Sequence, residues 1–150
     1  MRFFGHHLSC LRSGSVAVAA GTALLAIATS TAVAQEDFAI PALPSGLKVE
    51  LLDKFLDIKP DGELTYARFR FLAPDIAGEN APDFEARLAD MDVLCRDYAL
   101  PHIGVTPEQV DRIVISIADQ PTEFGVANPE ATQFFESYSI KNSACIWGDF

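Results

Sequence analysis

Two of the three cysteines carry the most specific chemistry in the sequence. Cys95 and Cys145 lie in the body of the chain, whereas Cys10 lies near its start. Exported proteins normally use their cysteines in pairs, so a Cys95–Cys145 disulfide is the first prediction. Two unbridged thiols are the alternative. A redox pair or a metal site ranks below both, because no Cys-x-x-Cys spacing is present to lower a thiol pKa.

His102 and Asp97 are the residues that a small hydrolase would use. A histidine oriented by a carboxylate can act as a general base. The sequence has no Gly-x-Ser-x-Gly motif, and a lone histidine in a loop is usually a surface or packing residue. We therefore predict no catalytic residue and keep a hydrolase that uses His102 with Asp97 as the alternative.

Arg68 and Arg70 alternate with other residues along a predicted strand, on the same face as Tyr66. This face could receive an anionic group. The favoured interpretation is that the two arginines pair with carboxylates across a hairpin, such as Glu50 or Asp57.

The segment best suited to bind a ligand or partner is a loop that contains proline and glycine. Residues 119–131 contain Pro121, Gly125 and Pro129, which prevent a regular strand. Long loops in small domains often bind ligands or partners. The candidate recognition residues are Thr122, Glu123, Phe124 and Gly125, together with the end of the chain at residues 145–147, which is expected nearby.

Charge and length exclude several functions. The 150 residues include 11 basic and 21 acidic side chains, so the formal net charge is −10 and binding to nucleic acid is disfavoured. The chain is too short for a barrel enzyme of about 250 residues. No calcium-loop, phosphate-loop or zinc-protease motif occurs, so no cofactor and no metal are expected. The expected partner is an unidentified protein or small molecule.

The first 34 residues are typical of a cleavable secretory signal. Arg2 and Arg12 precede an apolar run at residues 16–28, and Ala32 and Ala34 provide the small side chains that a signal peptidase accepts. The run is shorter than the roughly 20 residues that a bilayer span needs, so no stable membrane span is expected after cleavage. Cleavage after Ala34 predicts a periplasmic or secreted protein. It also removes Cys10 and changes the net charge from −10 to −12.

The remaining chain is expected to form one domain at residues 47–150, after an N-terminal linker at residues 35–46. Alternation and turn residues predict strands at 47–58, 64–72, 113–118, 133–140 and 144–147. Imperfect alternation in the first strand indicates a bulge, and the fourth strand also alternates imperfectly. A helix is predicted at residues 82–98, ended by Leu100 and Pro101, with an apolar stripe formed by Phe84, Leu88, Met91, Cys95 and Tyr98. The fold class is therefore α+β, with a small antiparallel or mixed sheet and the helix packed on one face.

Four segments resemble an uncharacterised family of small exported alphaproteobacterial proteins, a domain of unknown function. They are residues 69–74, 112–116, 121–125 and 145–147. The resemblance covers most of residues 35–150. It implies export and a single domain, and it supplies no catalytic residues.

The preferred hypothesis is thus a periplasmic binding or interaction module joined by the Cys95–Cys145 bond. The alternatives are the hydrolase described above and a thiol-disulfide redox protein that uses the same two cysteines.

Overall fold

Five β-strands pair in chain order to form one mixed sheet, with a helix packed on one face. The computed structural model describes residues 39–148. The strands are β1 (Glu50–Ile58), β2 (Thr65–Leu72), β3 (Arg112–Ala118), β4 (Gln133–Lys141) and β5 (Ala144–Trp147), and the main helix is α1 (Phe84–Val93). The predicted α+β class, with one main helix on a small mixed sheet, is confirmed.

The first two strands form an antiparallel hairpin with a bulge. The register shifts between Leu51 and Asp53, so the predicted bulge in the first strand is confirmed. The connecting turn is organised by Asp61, whose carboxylate accepts hydrogen bonds from the backbone N–H groups of Leu64 and Glu63, each at 2.9 Å. These bonds lower the pKa of Asp61 to about 2.

The hydrophobic core lies between the sheet and the helix. Alternation places Phe69 and Phe71 on the inner face of β2, where both are fully buried. Tyr98 from the helical layer meets them edge-on, with ring centroids 6.3 Å from Phe69 and 5.7 Å from Phe71. The isoleucines of β3 complete this layer, namely Ile113, Ile115 and Ile117.

The helix starts as predicted, but its later turns differ from the prediction. The Asp83 carboxylate caps the first turn by accepting a bond of 2.9 Å from the Ala86 N–H. After α1 the backbone adopts a π segment (Leu94–Ala99), in which the Leu100 N–H donates to the Cys95 carbonyl five residues earlier. A 3-10 turn then carries the helix to His102, beyond the predicted stop. Pro101 is tolerated near the start of that turn, because the first residues of a helical turn do not need an N–H for its hydrogen bonds.

The apolar stripe predicted for the helix is correct at its C-terminal end only. Met91, Cys95 and Tyr98 are buried, whereas Leu88 is half-buried. Phe84 is 58% exposed, because the first helical turn does not reach the core and its neighbours Asp83 and Glu85 are exposed as well.

The connections follow from strand direction. β2 and β3 are parallel, and the chain between them crosses over through α1, as parallel neighbours require. β3 and β4 are antiparallel and joined by residues 119–132, here called the β3–β4 loop. β4 and β5 are joined by a two-residue turn in which Asn142 and Ser143 both have positive φ, 51° and 57°, the backbone of a tight hairpin.

The N-terminal segment expected as a linker at residues 35–46 packs against the domain in its described part. Leu43 is only 6% exposed and belongs to the core. Ser45 donates to the buried Asp90 carboxylate twice, from its N–H at 2.9 Å and from its hydroxyl at 2.5 Å. The prolines of this segment prevent strand pairing, but they do not prevent packing.

Within residues 39–148, no helix is long and apolar enough to cross a membrane. The predicted signal segment and its cleavage position after Ala34 lie outside the described residues.

Candidate binding cleft

The sheet face opposite the helix carries a cleft of about 350 Å³. Cross-strand register places neighbouring side chains of β2, β3 and β4 together on this face, since Arg68 is level with Val114 and Arg70 with Ser116. Ser116 is in turn opposite Phe135 of β4. The sheet is thus the floor of the cleft, and the β3–β4 loop forms its wall through residues that include Thr122, Phe124 and Val126.

Hydrogen bonds close the β3–β4 loop at its base. Asp119 and Thr132 exchange two bonds, from the Asp119 N–H to the Thr132 carbonyl at 3.1 Å and from the Thr132 N–H to the Asp119 carboxylate at 3.0 Å. The Gln120 side chain also donates to the Glu130 carbonyl at 2.8 Å. Gly125 has a φ of +77°, a left-handed conformation that bends the loop at its tip and that other residues adopt with strain.

Arg70 ties the loop to the sheet. Its side chain is 9% exposed, and its Nη2 donates to the Thr122 carbonyl at 2.6 Å and to the Thr122 hydroxyl at 2.8 Å. Its Nη1 lies 4.0 Å from the Asp53 carboxylate. A buried guanidinium with these partners holds the wall of the cleft in place.

Arg68 pairs across the hairpin as predicted, with Asp57. Its Nε donates to the Asp57 carboxylate at 2.7 Å. Its guanidinium carbon lies 4.9 Å from the Tyr66 ring centroid and 5.1 Å from that of Phe124, within the range of cation–π attraction.

Glu50 was the alternative to Asp57 in the sequence-based prediction, and the carboxylate nearest to Arg70 is that of Asp53 instead. Glu50 lies opposite Leu72, and Asp53 lies opposite Arg70. The β1 bulge produces this pairing, because one extra residue moves Asp53, Phe55 and Asp57 onto the face of the arginines.

Phe124 stands at the centre of an exposed apolar group. Its ring meets the Phe55 ring edge-on, with centroids 4.8 Å apart, yet 48% of the residue remains exposed. Val126 and Phe135 nearby are 55% and 70% exposed. These side chains keep apolar surface in contact with water around a cleft whose floor contains two arginines.

The candidate recognition residues Thr122, Glu123, Phe124 and Gly125 all line this cleft. The chain end at residues 145–147 does not. β5 pairs with the C-terminal end of β4, opposite residues 138–141, whereas the cleft uses Gln133 and Phe135 at the N-terminal end. Residues 145–147 are thus joined to β4 without lining the cleft, and the Trp147 Nε1 donates to the Glu136 carboxylate, next to Phe135, at 2.7 Å.

Sequence reasoning missed several lining or supporting residues of the cleft. Phe135, Val114, Ser116 and Phe55 received no role, although Phe135 is among the most exposed aromatic side chains described. The signal was present in β4, because a strand places consecutive side chains on opposite faces, and Phe135 therefore lies on the face opposite Phe134 and Tyr138.

Asp97 and His102 lie outside the cleft lining. The Arg96 guanidinium occupies both Asp97 carboxylate oxygens, at 2.8 and 2.7 Å, and this pairing lowers the pKa of Asp97. The Nδ1 of His102 contacts the Tyr98 carbonyl, and the ring centroids of His102 and Tyr98 lie 4.9 Å apart. Among the described residues, no group of three or more histidine, cysteine, aspartate or glutamate side chains could hold a metal ion.

Cys95 and Cys145 form the predicted disulfide, with Cα atoms 6.2 Å apart. Cys95 lies fully buried in the π segment, and Cys145 lies in β5. The bond joins the last strand to the helical layer, on the face of the sheet away from the cleft.

The buried Tyr138 of β4 and the half-buried Asp92 of α1 are neighbours on the helix side of the sheet. Burial raises the pKa of the Tyr138 hydroxyl, and the neighbouring Asp92 carboxylate raises it further. Neither the Tyr138 hydroxyl nor the buried Oδ1 of Asp92 has a hydrogen-bond partner of normal geometry among the described residues. Neither residue was singled out from the sequence.

Comparison with curated proteins and with solved structures finds no match. A family model described as a family of unknown function, DUF6497, matches residues 20–150. That span covers most of the chain and every element of the fold, and it confirms the expected resemblance to an uncharacterised family. The chain belongs to the DUF6497 family of unknown function.

Proposed function

We propose that the protein is an exported binding module whose binding site is the cleft between β2–β4 and the β3–β4 loop. The observation that carries this proposal is the cleft itself. Its volume of about 350 Å³ falls within the range of small-molecule sites, which extends from about 300 to 1,000 Å³. Apolar side chains with a few convergent polar groups are the usual lining of such sites.

The construction of the walls also supports binding. The Arg70–Thr122 bonds and the Asp119–Thr132 pair hold the loop in the conformation that forms the cleft. A site that is formed before its ligand arrives loses less conformational entropy on binding, so more of the contact energy appears as affinity.

Export is the second half of the proposal, and it is supported by the sequence and by the disulfide. Arg2, Arg12, the apolar run at residues 16–28 and the small residues Ala32 and Ala34 together have the pattern of a secretory signal. A disulfide such as Cys95–Cys145 persists in oxidising compartments and is rare in the cytosol.

Binding is tested with a library of small apolar and aromatic compounds, followed by two-dimensional amide NMR spectra. We expect the shifted amides to cluster in the cleft, and Phe124→Ser to weaken every compound that binds there. Phe84→Ser is the matched control, because Phe84 is similarly exposed but lies at the start of α1, away from the cleft lining.

Two results would contradict the binding proposal. One is an absence of binding by any compound in the library. The other is a set of shifts spread over the surface and weakened equally by Phe84→Ser and Phe124→Ser. If, in addition, a protein captured from a periplasmic extract protects the Phe124 surface, the small-molecule proposal is still refuted and the surface is a protein interface.

Export is tested by expressing the full chain in a Gram-negative host and measuring the mass of the protein in the periplasmic fraction. We expect a product that begins at Gln35. Ala34→Arg is expected to block processing, because the peptidase pocket accepts only small side chains at that position. Unprocessed protein in the cytosolic fraction, for the unaltered chain, would refute this half of the proposal.

A further inference from the structure

We infer that the ligand of the cleft is a small apolar carboxylate, with its carboxylate on Arg68 and its apolar body against Phe124 and Phe135. This inference rests on the proposed function and adds the chemical class of the ligand. It follows from the donors that remain on Arg68, from the charges around them and from the apolar rim.

Arg68 is held in a fixed orientation and keeps N–H donors that no other described residue uses. A guanidinium carries five N–H donors in a planar fork. The Asp57 carboxylate receives one of them, from Nε at 2.7 Å, and the rings of Tyr66 and Phe124 border the guanidinium. Among the described residues, no side chain or carbonyl accepts a hydrogen bond from the Nη1 or Nη2 of Arg68. The terminal edge of Arg68 therefore remains available to a planar, two-oxygen acceptor.

Arg70 does not compete for the ligand. Its Nη2 is committed to Thr122 by two hydrogen bonds, and its Nη1 faces Asp53. Its side chain is also more buried than that of Arg68, at 9% against 22% exposed. The two arginines thus have separate tasks, Arg70 in holding the loop and Arg68 in contacting the ligand.

The surrounding charges count against an anion with two negative charges. Asp57 and Asp53 accompany the two arginines, and the exposed Glu123 lies on the cleft wall. These carboxylates would repel a ligand with two negative charges, such as a phosphate monoester. Arg70 could not offset that repulsion, because its donors are committed to Thr122 and Asp53. A carboxylate needs only the terminal edge of Arg68.

The apolar rim specifies the rest of the ligand. Phe124, Val126 and Phe135 expose roughly half or more of their surface, and Val114 lies in the floor between them. A body of one or two rings, or a short acyl chain, would cover these side chains and remove them from water. A fully polar anion would leave the rim exposed and gain only the contact with Arg68.

The test compares naphthylacetate with its neutral amide, naphthylacetamide, by calorimetry and NMR on the unaltered full chain. The two probes share the same ring system and differ mainly in charge. We expect naphthylacetate to bind about tenfold or more tightly than the amide, since one charge-assisted contact at a partly buried site accounts for that ratio.

Substitutions then assign the charge effect to one residue. We expect Arg68→Gln to remove the preference for naphthylacetate, and Arg68→Lys to restore only part of it because lysine lacks the fork. Lys54→Gln is the matched control, since it removes one positive charge from β1 at an exposed position outside the cleft lining. It should leave the ratio of the two affinities unchanged.

Each outcome bears on a different part of the inference. Equal affinities for the two probes in the unaltered protein would overturn the carboxylate assignment and leave the binding site standing. Tighter binding of naphthyl phosphate than of naphthylacetate would overturn the preference for a single charge. Failure of both naphthyl probes and of the wider library would refute the proposed function as well. Because the probe comparison uses the unaltered chain, it decides the matter even if Arg68→Gln destabilises the hairpin.

Discussion

Replacing both Cys95 and Cys145 with alanine is expected to lower the free energy of unfolding by about 4 kcal/mol. The two residues are 50 positions apart in sequence. For a closed loop of that size, the chain-entropy model gives about 4 kcal/mol of stabilisation, because the bond restricts the unfolded chain. Cys95 is fully buried, so loss of its sulfur adds a small packing term of the same sign. The total is a large part of the roughly 5–15 kcal/mol by which a domain of this size is stable.

The measurement is urea unfolding followed by circular dichroism. With an m-value of about 2 kcal/mol/M, the midpoint should fall by about 2 M. Reduction of the disulfide in the unaltered protein with dithiothreitol is the matched control, because it opens the same loop without changing a residue, and it should lower the midpoint by a similar amount. A loss below about 1 kcal/mol in the double variant would refute the reasoning, since the loop-closure term could not then be the main effect.

Hydrogen exchange gives the same prediction a local test. β5 has four residues and, within residues 39–148, pairs only with β4, so the disulfide is its covalent attachment to the helical layer. Without the bond, amide protection in β5 should fall further than in β3, which is paired on both sides. Equal loss of protection in the two strands would show that the bond stabilises the whole domain without a special effect on β5.

Three further predictions concern polar groups that the tertiary structure brings together. Ser45→Ala should cost about 1–3 kcal/mol in urea unfolding, because the buried Asp90 loses a hydrogen bond to its carboxylate. The pKa of Asp61 is about 2 in the folded protein and near 4 in the unfolded chain. The stability that its carboxylate contributes is therefore complete above about pH 4 and is lost as the pH falls through about 2. Asp61→Asn should reduce this loss, which is measured as the unfolding midpoint against pH. The raised pKa of Tyr138 gives stability that is present below about pH 10 and lost as pH rises above it, so Tyr138→Phe should be close to neutral at pH about 7 and less sensitive to alkali. Unfolding curves that change equally with pH in the tyrosine variant and the unaltered protein would contradict the last of these.

Much of the fold could be predicted because it depends on local patterns. Alternation along β2 sets Phe69 and Phe71 on one face and the arginines on the other, whatever the rest of the chain does. The bulged first strand, the central β3 and the helix around Met91 and Cys95 were likewise predictable, since each depends on a few neighbouring residues.

The candidate site was predictable only in part. The residues of the β3–β4 loop were singled out, and so were Arg68 and Arg70, but as separate features. Their contact depends on the parallel pairing of β2 with β3 and on the path of a loop that returns over the sheet. Neither is encoded in a short window of sequence, because residues 70 and 122 are in contact only when β2 and β3, which the helical crossover separates in sequence, lie side by side.

The sequence by itself determined the spacing of the apolar side chains, the acidic composition, the cysteine pair and the turns that glycine and proline enforce. These depend on side-chain type and on backbone preferences over a few residues. The tertiary structure alone decided that one extra residue in β1 sets Asp53 against Arg70 and that Ser45 caps the buried Asp90. It alone also decided that Thr122 closes over Arg70 to form a cleft. Such contacts join residues far apart in the chain, and their geometry follows from register and packing, which only the assembled sheet defines.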